Sequence, residues 1–343
     1  MNLEITRDFQ HDKWDDFVHK SPACGFYHLY GWRRVMENTY GHETFYIMAR
    51  DGEAIRGILP LFEVRWPGGK KHIYSMPGGL VADGERVFDC LFAEAGRIAK
   101  GRKARSLVIR DGLQRWPAAN EIENKKAYYT CYLPLERDTD KMWKRFNDKA
   151  RNQVRKARRS GLSVSSHEEG VEIFYRLYAR HMRDLGTPAI PLRFFKNMHE
   201  TFCRDMKILF VKHNNRIIGG MLLCLLKDLA SDPFAVSLKE YRALCPNNIL
   251  YWEAISFACR QGKKYFDMGR SQPASGTFHF KKQWNPEIRR LYNYGKTLIS
   301  EKKSSPFADS ARDNAWFTKI WKILPVGIAT GTGRFIRRYV PFG

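Results

Sequence analysis

Two stretches of the chain have the apolar and polar pattern of a β-hairpin. Residues 45–64 read FYIMARDGEAIRGILPLFEV, and residues 207–226 read KILFVKHNNRIIGGMLLCLL. In each, an apolar run reaches a polar turn, Asp51-Gly52 or Asn214-Asn215, and a second apolar run follows. Positions 51 and 214 are 163 residues apart.

A helix followed by a strand recurs at nearly the same separation. Residues 92–110 and 252–270 each have apolar positions at helical spacing, reach a glycine (Gly101 or Gly262), and continue through basic residues into an apolar run. Positions 101 and 262 are 161 residues apart. Two features that recur in the same order predict an internal duplication, in which each copy is an α/β half with a mixed sheet.

A strongly basic segment lies between the two halves. Residues 141–160 are predicted to form one helix that ends at Gly161. Its apolar stripe, at steps of three and four, consists of Trp143, Phe146, Ala150, Val154 and Ala157. Residues 144–159 hold eight bases and one acid. Four of the bases, Arg151, Arg155, Arg158 and Arg159, are predicted to share one helix face.

The charge of this face favours a polyanionic ligand. An ordinary solvated face carries acids that pair with its bases, and this one carries almost none, so the like charges are expected to be uncompensated unless an anion binds. Arg151 and Arg155 are therefore predicted to contact RNA phosphates or the pyrophosphate of a precursor. The net charge of the whole chain supports this interpretation. Its 59 Lys and Arg exceed its 36 Asp and Glu, which gives a formal charge of +23.

Other compositional features exclude several classes of protein. The N-terminal residues carry acids and no apolar h-region, which is not typical of a secretory leader. The seven scattered cysteines form no CxxC pair, so reduced thiols are expected instead of disulfides or a metal site. We expect a cytoplasmic protein that is either free or peripheral on the inner face of the membrane.

The chain is predicted to have three parts. The first domain is expected over residues 1–135, the second over 136–300, and a linker with a C-terminal amphipathic helical segment over 301–343. The aromatic and aliphatic face of that segment comprises Trp316, Phe317, Ile320, Trp321, Ile323 and Leu324, with lysines between them and a helix break at Pro325. Residues 311–343 are expected either to dock on the core or to contact a membrane surface, and the pattern suits both.

Several blocks resemble one family. NNILYWEAISFACRQGKKYFDMGRS followed by SGTFHFKKQW resembles the second domain of the FemAB-like family, the tandem GNAT-fold aminoacyl and acyl transferases of the bacterial cell envelope. KARNQVRKARRSGLSV is similar to the basic helix that opens that domain, and DLGTPAIPLRFF to a further block of it. FYHLYGWRRVMENTYGHE with DGEAIRGILPLF resembles the first domain. The likeness covers roughly residues 20–295 and is closest to the branch associated with exopolysaccharide and exosortase systems.

The resemblance implies two tandem GNAT-like α/β domains that transfer an amino acid or acyl group to an amine of a peptidoglycan or exopolysaccharide precursor. It implies a donor that is either aminoacyl-tRNA or acyl-CoA, a nucleotide- or lipid-linked acceptor, and no tightly bound cofactor. The loop RALCPNNILYW has Arg242 but lacks the glycines that cradle a coenzyme A pyrophosphate, which disfavours acetyl-CoA. A GNAT N-acetyltransferase, or a non-catalytic basic protein that binds nucleic acid or a membrane, stays the alternative.

The resemblance also suggests site residues. Lys281 matches the lysine of the family's FK block, implied to stabilise the oxyanion or the departing ribose oxygen, while Lys282 is a phosphate contact or a solvated neighbour. From its place at the end of a predicted strand, where open sheets build sites, Asp267 would accept the amine proton, orient Arg270 or Lys281, or form a buried structural pair with Arg270. Arg270 has the planar fork that suits a phosphate or carboxylate.

Three further residues are candidates for substrate binding. Tyr251 and Trp252 follow the Asn247-Asn248 pair expected to cap their helix, and they would either stack on a substrate or belong to the core. Arg193 follows the Pro-rich loop at residues 184–191, which is predicted to form the wall of a cleft.

Overall fold

The computed structural model describes residues 3–117, 127–166, 170–298 and 315–341. These form two compact units. The first runs to Ala127, resumes at Arg290 and also includes the residues from Phe335 onward; the second runs from Tyr128 to Arg289 and includes residues 315–334. Most of the predicted linker, residues 301–314, lies outside the described residues.

The elements that precede residue 127 are β1 (Leu3–Thr6), α1 (His11–Lys20), α2 (Trp32–Tyr40), β2 (Thr44–Asp51), β3 (Ala54–Arg65), β4 (Lys71–Ser75), β5 (Val81–Ala82), α3 (Glu85–Gly101) and β6 (Ser106–Gly112). Those that follow, as far as the last described helix, are β7 (Tyr128–Pro134), α4 (Thr139–Arg145), α5 (Asp148–Arg159), β8 (Ser163–Ser166), α6 (Val171–Leu185), α7 (Leu192–Phe202), β9 (Met206–His213), β10 (Arg216–Leu226), β11 (Leu229–Ser237), α8 (Pro246–Arg260), β12 (Tyr265–Ser271), α9 (Gly276–Lys282), β13 (Glu287–Thr297), α10 (Ala315–Ile323) and α11 (Val326–Arg337).

Each unit contains a mixed sheet with the same local order. The first unit has the order β1-β2-β3-β4-β6-β13, with β5 paired to β3, and the second has β7-β12-β11-β10-β9-β8. In each sheet one neighbouring pair is parallel, β4 with β6 and β11 with β12. A hairpin, a third strand, a helix and a strand parallel to the third therefore occur twice. The prediction of two α/β halves with mixed sheets is confirmed.

The helix ends differ between the two halves. In the second half Gly262 lies in the left-handed region at φ 68°, just after α8, as predicted. In the first half Gly101 still belongs to α3, and the left-handed residue is Lys103 at φ 55°. The glycine at position 101 is therefore not the residue that reverses the chain.

The basic segment is two helices, so the prediction of one helix over residues 141–160 is wrong. The break falls at Phe146-Asn147, where the Asn147 side chain accepts a hydrogen bond from the Ala150 N–H at 2.9 Å and begins α5. The predicted apolar stripe is confirmed: Phe146, Ala150, Val154 and Ala157 are buried in the core of the second unit. Gly161 follows α5 at φ 76°.

The C-terminal helices dock on the second unit. Trp321 and Gly333 face inward, and the Gly333 Cα approaches the backbone of Ala189, in the loop predicted to be a cleft wall. The Arg183 Nη1 donates to the carbonyl of Leu324 at 3.1 Å, where the chain breaks at Pro325 between α10 and α11. This loop therefore packs against the C-terminal helix pair, and its role as the wall of a cleft stays a prediction. Among the described residues, no helix is long and apolar enough to cross a bilayer.

Candidate active site in the second unit

The site lies where the two parallel strands of the second unit stop pairing. β11 and β12 pair through three residue pairs, the last being Ser231 with Asp267, although both strands continue beyond that point. Asp232 directly follows Ser231, and Gly269 lies two residues after Asp267. The carboxyl ends of parallel strands are where open α/β sheets build their sites.

Gly269 forms a bulge at this point of β12. Its φ is 74°, and the register against β7 shifts between Asp267 and Arg270. The Gly269 N–H donates to Asp267 Oδ1 at 2.9 Å, and the Thr130 hydroxyl donates to the same oxygen. Burial raises the pKa of Asp267, while these two hydrogen bonds oppose the rise. Asp267 thus holds the bulge in place.

Lys281 is buried against the same bulge. It lies on the short helix α9, which begins where the Ser275 hydroxyl accepts the Phe278 N–H at 3.1 Å, and the lysine is only 4% exposed. Its Nζ donates to the Gly269 carbonyl at 2.8 Å and to the Arg270 carbonyl at 3.4 Å. An ammonium has three N–H donors, and these carbonyls account for two. Lys281 is therefore a buried, hydrogen-bonded side chain and not a surface charge.

Asp232 faces the same glycine from the neighbouring strand. It is 7% exposed, and its Oδ2 accepts a hydrogen bond from the Tyr251 hydroxyl. Its Oδ1 has no hydrogen-bond partner among the described residues. Burial raises the pKa of Asp232 to about 7, against the opposing effects of the Lys281 charge and the Tyr251 hydrogen bond.

Gly269 has no side chain, and both Lys281 and Asp232 approach the position that a Cβ would take there. A Cβ added there would lie 3.8 Å from Lys281 Nζ and 3.9 Å from Asp232 Oδ1. A cation and a carboxyl group that can change protonation near neutral pH therefore share one small space. Such a pair can stabilise a developing negative charge and accept a proton.

The rim of the site is aromatic and basic. The Arg270 guanidinium lies over the Tyr128 ring at 4.4 Å, and the Tyr128 hydroxyl accepts a hydrogen bond from Gln272 Nε2 at 2.8 Å. Lys282 is exposed, one residue after Lys281.

The structure brings four of the predicted residues together, Lys281, Asp267, Arg270 and Tyr251, and separates others. Trp252 belongs to the core, edge-on to Trp143 at 4.7 Å, so the substrate-stacking prediction for it is wrong. Arg193 is an exposed residue in the first turn of α7. Sequence reasoning missed Asp232, for which the available signal was a lone acid inside the apolar run of β11.

The basic face of α5 is partly compensated, contrary to the prediction. Arg151 pairs with Asp148 in the first turn of the helix, and Arg158 pairs with Glu253 on α8 at 3.1 Å. Arg155 lies over the Trp143 ring at 5.6 Å and is exposed. The prediction failed because Glu253 is far from Arg158 in sequence and reaches it only when α5 packs on α8.

Comparisons with known proteins find similarity over the same part of the chain. The family model of the acetyltransferase (GNAT) domain matches residues 144–282, a range that includes Asp232, Tyr251 and Lys281. The chain is 22% identical over 213 residues to the lipid II:glycine glycyltransferase of Staphylococcus aureus (strain MRSA252), an alignment that covers 56% of this chain and 50% of that protein. Residues 144–282 are thus similar to a GNAT domain, as the resemblance to the FemAB-like family predicts. The chain spans about half the length of the curated relative that it matches.

Solved structures share the fold of this protein. The crystal structure of FemX superposes with a TM-score of 0.67 at 16% identity, covering 86% of this chain and 97% of that one. A tandem GNAT protein from the clavulanic acid biosynthesis pathway superposes with a TM-score of 0.54 at 12% identity, covering 88% and 100%. At these identities the likeness concerns the fold, and it confirms the predicted tandem GNAT architecture.

The start of α8 differs from a glycine-rich phosphate loop. Cys245 precedes the helix in the left-handed region at φ 59°, and Pro246, which has no N–H, opens it. The predicted Asn247-Asn248 cap is wrong, because Cys245 occupies the cap position and Asn248 donates to Gln153 Oε1 at 2.9 Å. A pyrophosphate would find fewer N–H donors here than at a glycine-rich loop.

The first unit has a side chain at the corresponding position. Pairing of β4 with β6 ends at Tyr74 and Val108; Ser75 directly follows Tyr74, and Arg110 lies two residues after Val108. The Ser75 hydroxyl accepts the Arg110 N–H at 2.8 Å, and the buried Arg110 guanidinium donates to the Ser75 carbonyl at 2.9 and 3.2 Å. Arg110 also lies over the rings of Phe62 and Tyr74. Arg110 in the first unit therefore occupies the position that corresponds to Gly269 in the second.

Proposed function

We propose that this FemAB-like protein is an aminoacyltransferase that moves an amino acid from an ester donor to an amine of a lipid-linked peptidoglycan-type precursor. The observation that carries the proposal is the approach of buried Lys281 and buried Asp232 to the bare Cα of Gly269. Similarity to a protein named lipid II:glycine glycyltransferase supports both the reaction class and the acceptor class.

Three side chains would perform the transfer. The acceptor amine attacks the ester carbonyl, a C–N bond forms, and the carbonyl oxygen becomes an oxyanion that the Lys281 ammonium stabilises. Asp232 accepts a proton from the attacking nitrogen through Oδ1. The C–O bond to the donor then breaks, and the departing oxygen takes up a proton. Tyr251 keeps Oδ2 engaged, so that Oδ1 is the oxygen directed toward the substrate.

Asp267 has a positioning role in this scheme. Its Oδ1 already accepts hydrogen bonds from Thr130 and from the Gly269 N–H, which makes it a poorer proton acceptor than Asp232. By fixing the bulge, it fixes the carbonyl that holds Lys281 Nζ. Arg270, held over Tyr128 at the rim, would bind a phosphate or carboxylate of the substrate. Exposed Lys282 would make a further phosphate contact.

The donor is proposed to be aminoacyl-tRNA. Two features support it over an acyl-CoA donor: the Pro246 start of α8, which offers fewer N–H donors to a pyrophosphate, and the formal charge of +23, which favours a long polyanion. Exposed Arg155 and half-buried Arg151 on α5, with exposed Arg193 on α7, would contact its phosphates. An exopolysaccharide precursor stays the alternative acceptor. The protein would work on the cytoplasmic face of the membrane, where a lipid-linked precursor is accessible.

The decisive experiment compares two neighbouring lysines. Purified protein is supplied with aminoacyl-tRNA and a lipid-linked or nucleotide-linked muropeptide, and the transferred amino acid is measured by mass spectrometry. Lys281→Met is expected to lower kcat by about 10²-fold or more, the usual cost of removing an oxyanion donor. Lys282→Met, a change of the same chemistry at an exposed position, is expected to lower it far less. Wild-type protein that transfers nothing from aminoacyl-tRNA, acyl-CoA or acyl-carrier donors would overturn the proposal.

A further inference from the structure

The helix pair α10–α11 carries the most exposed large hydrophobic side chains of the described residues. Ile323 is 79% exposed, Trp316 is 70%, Phe335 is 62% and Ile328 is 53%. Four other large hydrophobic side chains are exposed elsewhere in the described chain, none by more than 44%. Apolar exposure is thus concentrated on one short C-terminal segment.

Helical geometry separates this exposed set from the docked face. At about 100° per residue, Trp316 and Ile323 lie within one narrow sector of α10. Thr318, packed on Gly186, and buried Trp321 lie on the opposite side. α11 repeats the arrangement, with Ile328 and Phe335 on one side and buried Ala329 and Gly333 turned inward. We call the side formed by Trp316, Ile323 and Ile328, with Lys319 and Lys322, the outer face.

The outer face belongs to a segment with a single sign of charge. Residues 315–341 contain five bases, Lys319, Lys322, Arg334, Arg337 and Arg338, and no acid. Lys319 and Lys322 are exposed beside Trp316 and Ile323. Bases interleaved with tryptophan and isoleucine on an exposed helix favour the boundary region of an anionic bilayer, where the apolar side chains enter the acyl region and the bases contact headgroup phosphates.

We infer that the outer face of α10–α11 docks the protein on an anionic membrane surface, with the helices lying in the plane of the bilayer. Charge favours this occupant over a second copy of the chain: a symmetric contact between two outer faces would bring Lys319 and Lys322 against the same two bases, with no acid among residues 315–341 to pair them. The inner face is already packed on α6 and the 184–191 loop, so the helices need not leave the protein to bind.

This inference deepens the proposed function and rests on it. Membrane docking would bring the transferase to the surface that holds a lipid-linked acceptor. Its physical basis is independent of the chemistry at Lys281. Membrane binding is therefore measured without donor or acceptor, and a failure of binding can be told apart from a failure of transfer.

The experiment is vesicle co-sedimentation of the full chain. One set of vesicles contains equal parts phosphatidylglycerol and phosphatidylcholine, and the other contains phosphatidylcholine alone. Wild-type protein is expected to bind the anionic vesicles and to bind the neutral ones at least about tenfold more weakly. The triple variant Trp316→Ser, Ile323→Ser, Ile328→Ser is expected to lose about tenfold or more of its binding to anionic vesicles. Its melting temperature is expected to stay unchanged, because the three side chains are exposed.

A matched control uses exposed apolar side chains elsewhere. The double variant Leu113→Ser, Ile288→Ser removes large exposed hydrophobic groups outside the outer face and is expected to bind as wild type does. Lys319→Glu with Lys322→Glu is expected to remove the preference for anionic lipid. Absence of wild-type binding to anionic vesicles at low salt, or equal binding by the triple variant, would overturn the inference. So would a concentration-dependent dimer, seen by analytical ultracentrifugation, that the triple variant abolishes.

Discussion

The Tyr251 hydroxyl on α8 donates a hydrogen bond to Oδ2 of Asp232, a buried carboxyl group on β11. The other carboxyl oxygen, Oδ1, lies near Gly269. Tyr251 and Asp232 are 19 positions apart in sequence and meet because α8 packs on β11. Burial makes the charged form of Asp232 costly, so this carboxyl group changes protonation near neutral pH. The first two predictions test this property.

The pH dependence of transfer should report Asp232. With a pKa of about 7, the carboxyl group is an active base only when deprotonated, so kcat/KM should rise as pH increases through about 7. Asp232→Asn keeps the shape of the side chain and removes the base, so it should lower the rate and abolish this rise. The check is a pH–rate profile of both proteins on one acceptor. A wild-type profile that is flat between pH 5 and 8 would contradict the assignment.

The same carboxyl group should affect stability in the opposite direction. Because its folded-state pKa lies above the ordinary value of 3.8, ionisation of Asp232 opposes folding. The stabilising contribution of the neutral form is complete below about pH 4 and lost as pH rises to about 7. Asp232→Asn should therefore be more stable than wild type at pH 8, by up to about 4 kcal/mol, and similar to it at pH 4. Urea denaturation at the two pH values measures the difference.

Tyr251→Phe should move the pH profile without removing it. The Tyr251 hydrogen bond stabilises the carboxylate, so its loss should raise the pKa of Asp232 further and shift the rise in kcat/KM to higher pH, by about one unit. A structural role for the hydroxyl alone would lower the rate equally at every pH. Comparison of the midpoints of the two profiles distinguishes these outcomes.

The bare Cα of Gly269 should matter more for activity than for stability. At φ 74°, alanine is strained by about 1–2 kcal/mol, and its Cβ would meet Lys281 Nζ and Asp232 Oδ1 at ordinary van der Waals distance, without a clash. We expect Gly269→Ala to fold with a modest loss of stability and to lose most of its activity, since the methyl group would occupy the space between the two side chains. Gly52→Ala, a change at φ 59° in the β2–β3 turn, is the control for backbone strain. Equal activity of both variants would count against the proposed site.

The fold was predictable to the extent that its signals are local. The two hairpins, the buried stripe of α5 and the break at Pro325 follow from the pattern of a few neighbouring residues, and the structure contains all of them. Asp232 and the Arg158–Glu253 pair were not predicted, because each depends on elements that are distant in sequence. The helix break at Asn147 has a local signal, the capping asparagine. The prediction missed it because apolar residues at helical spacing continue across the break. Asp232 becomes a candidate site residue only because Gly269 on β12 and Lys281 on α9 lie next to it in the fold. Both elements are more than thirty residues further along the chain.

Exposed and paired arginines on α5 should differ in their effect on tRNA binding. Arg155 and Arg159 are exposed, whereas Arg158 is bonded to Glu253. If α5 contacts tRNA phosphates, each lost contact should reduce the slope of log affinity against log salt by about 0.7–0.9. The double variant Arg155→Ala, Arg159→Ala should therefore reduce the slope by about 1.5. Filter binding of labelled tRNA across a salt series measures it, and Arg158→Ala, expected to change the slope less, is the control. An unchanged slope in the double variant would mean that this helix face binds no tRNA phosphate, and the tRNA contact would then have to be sought on another surface.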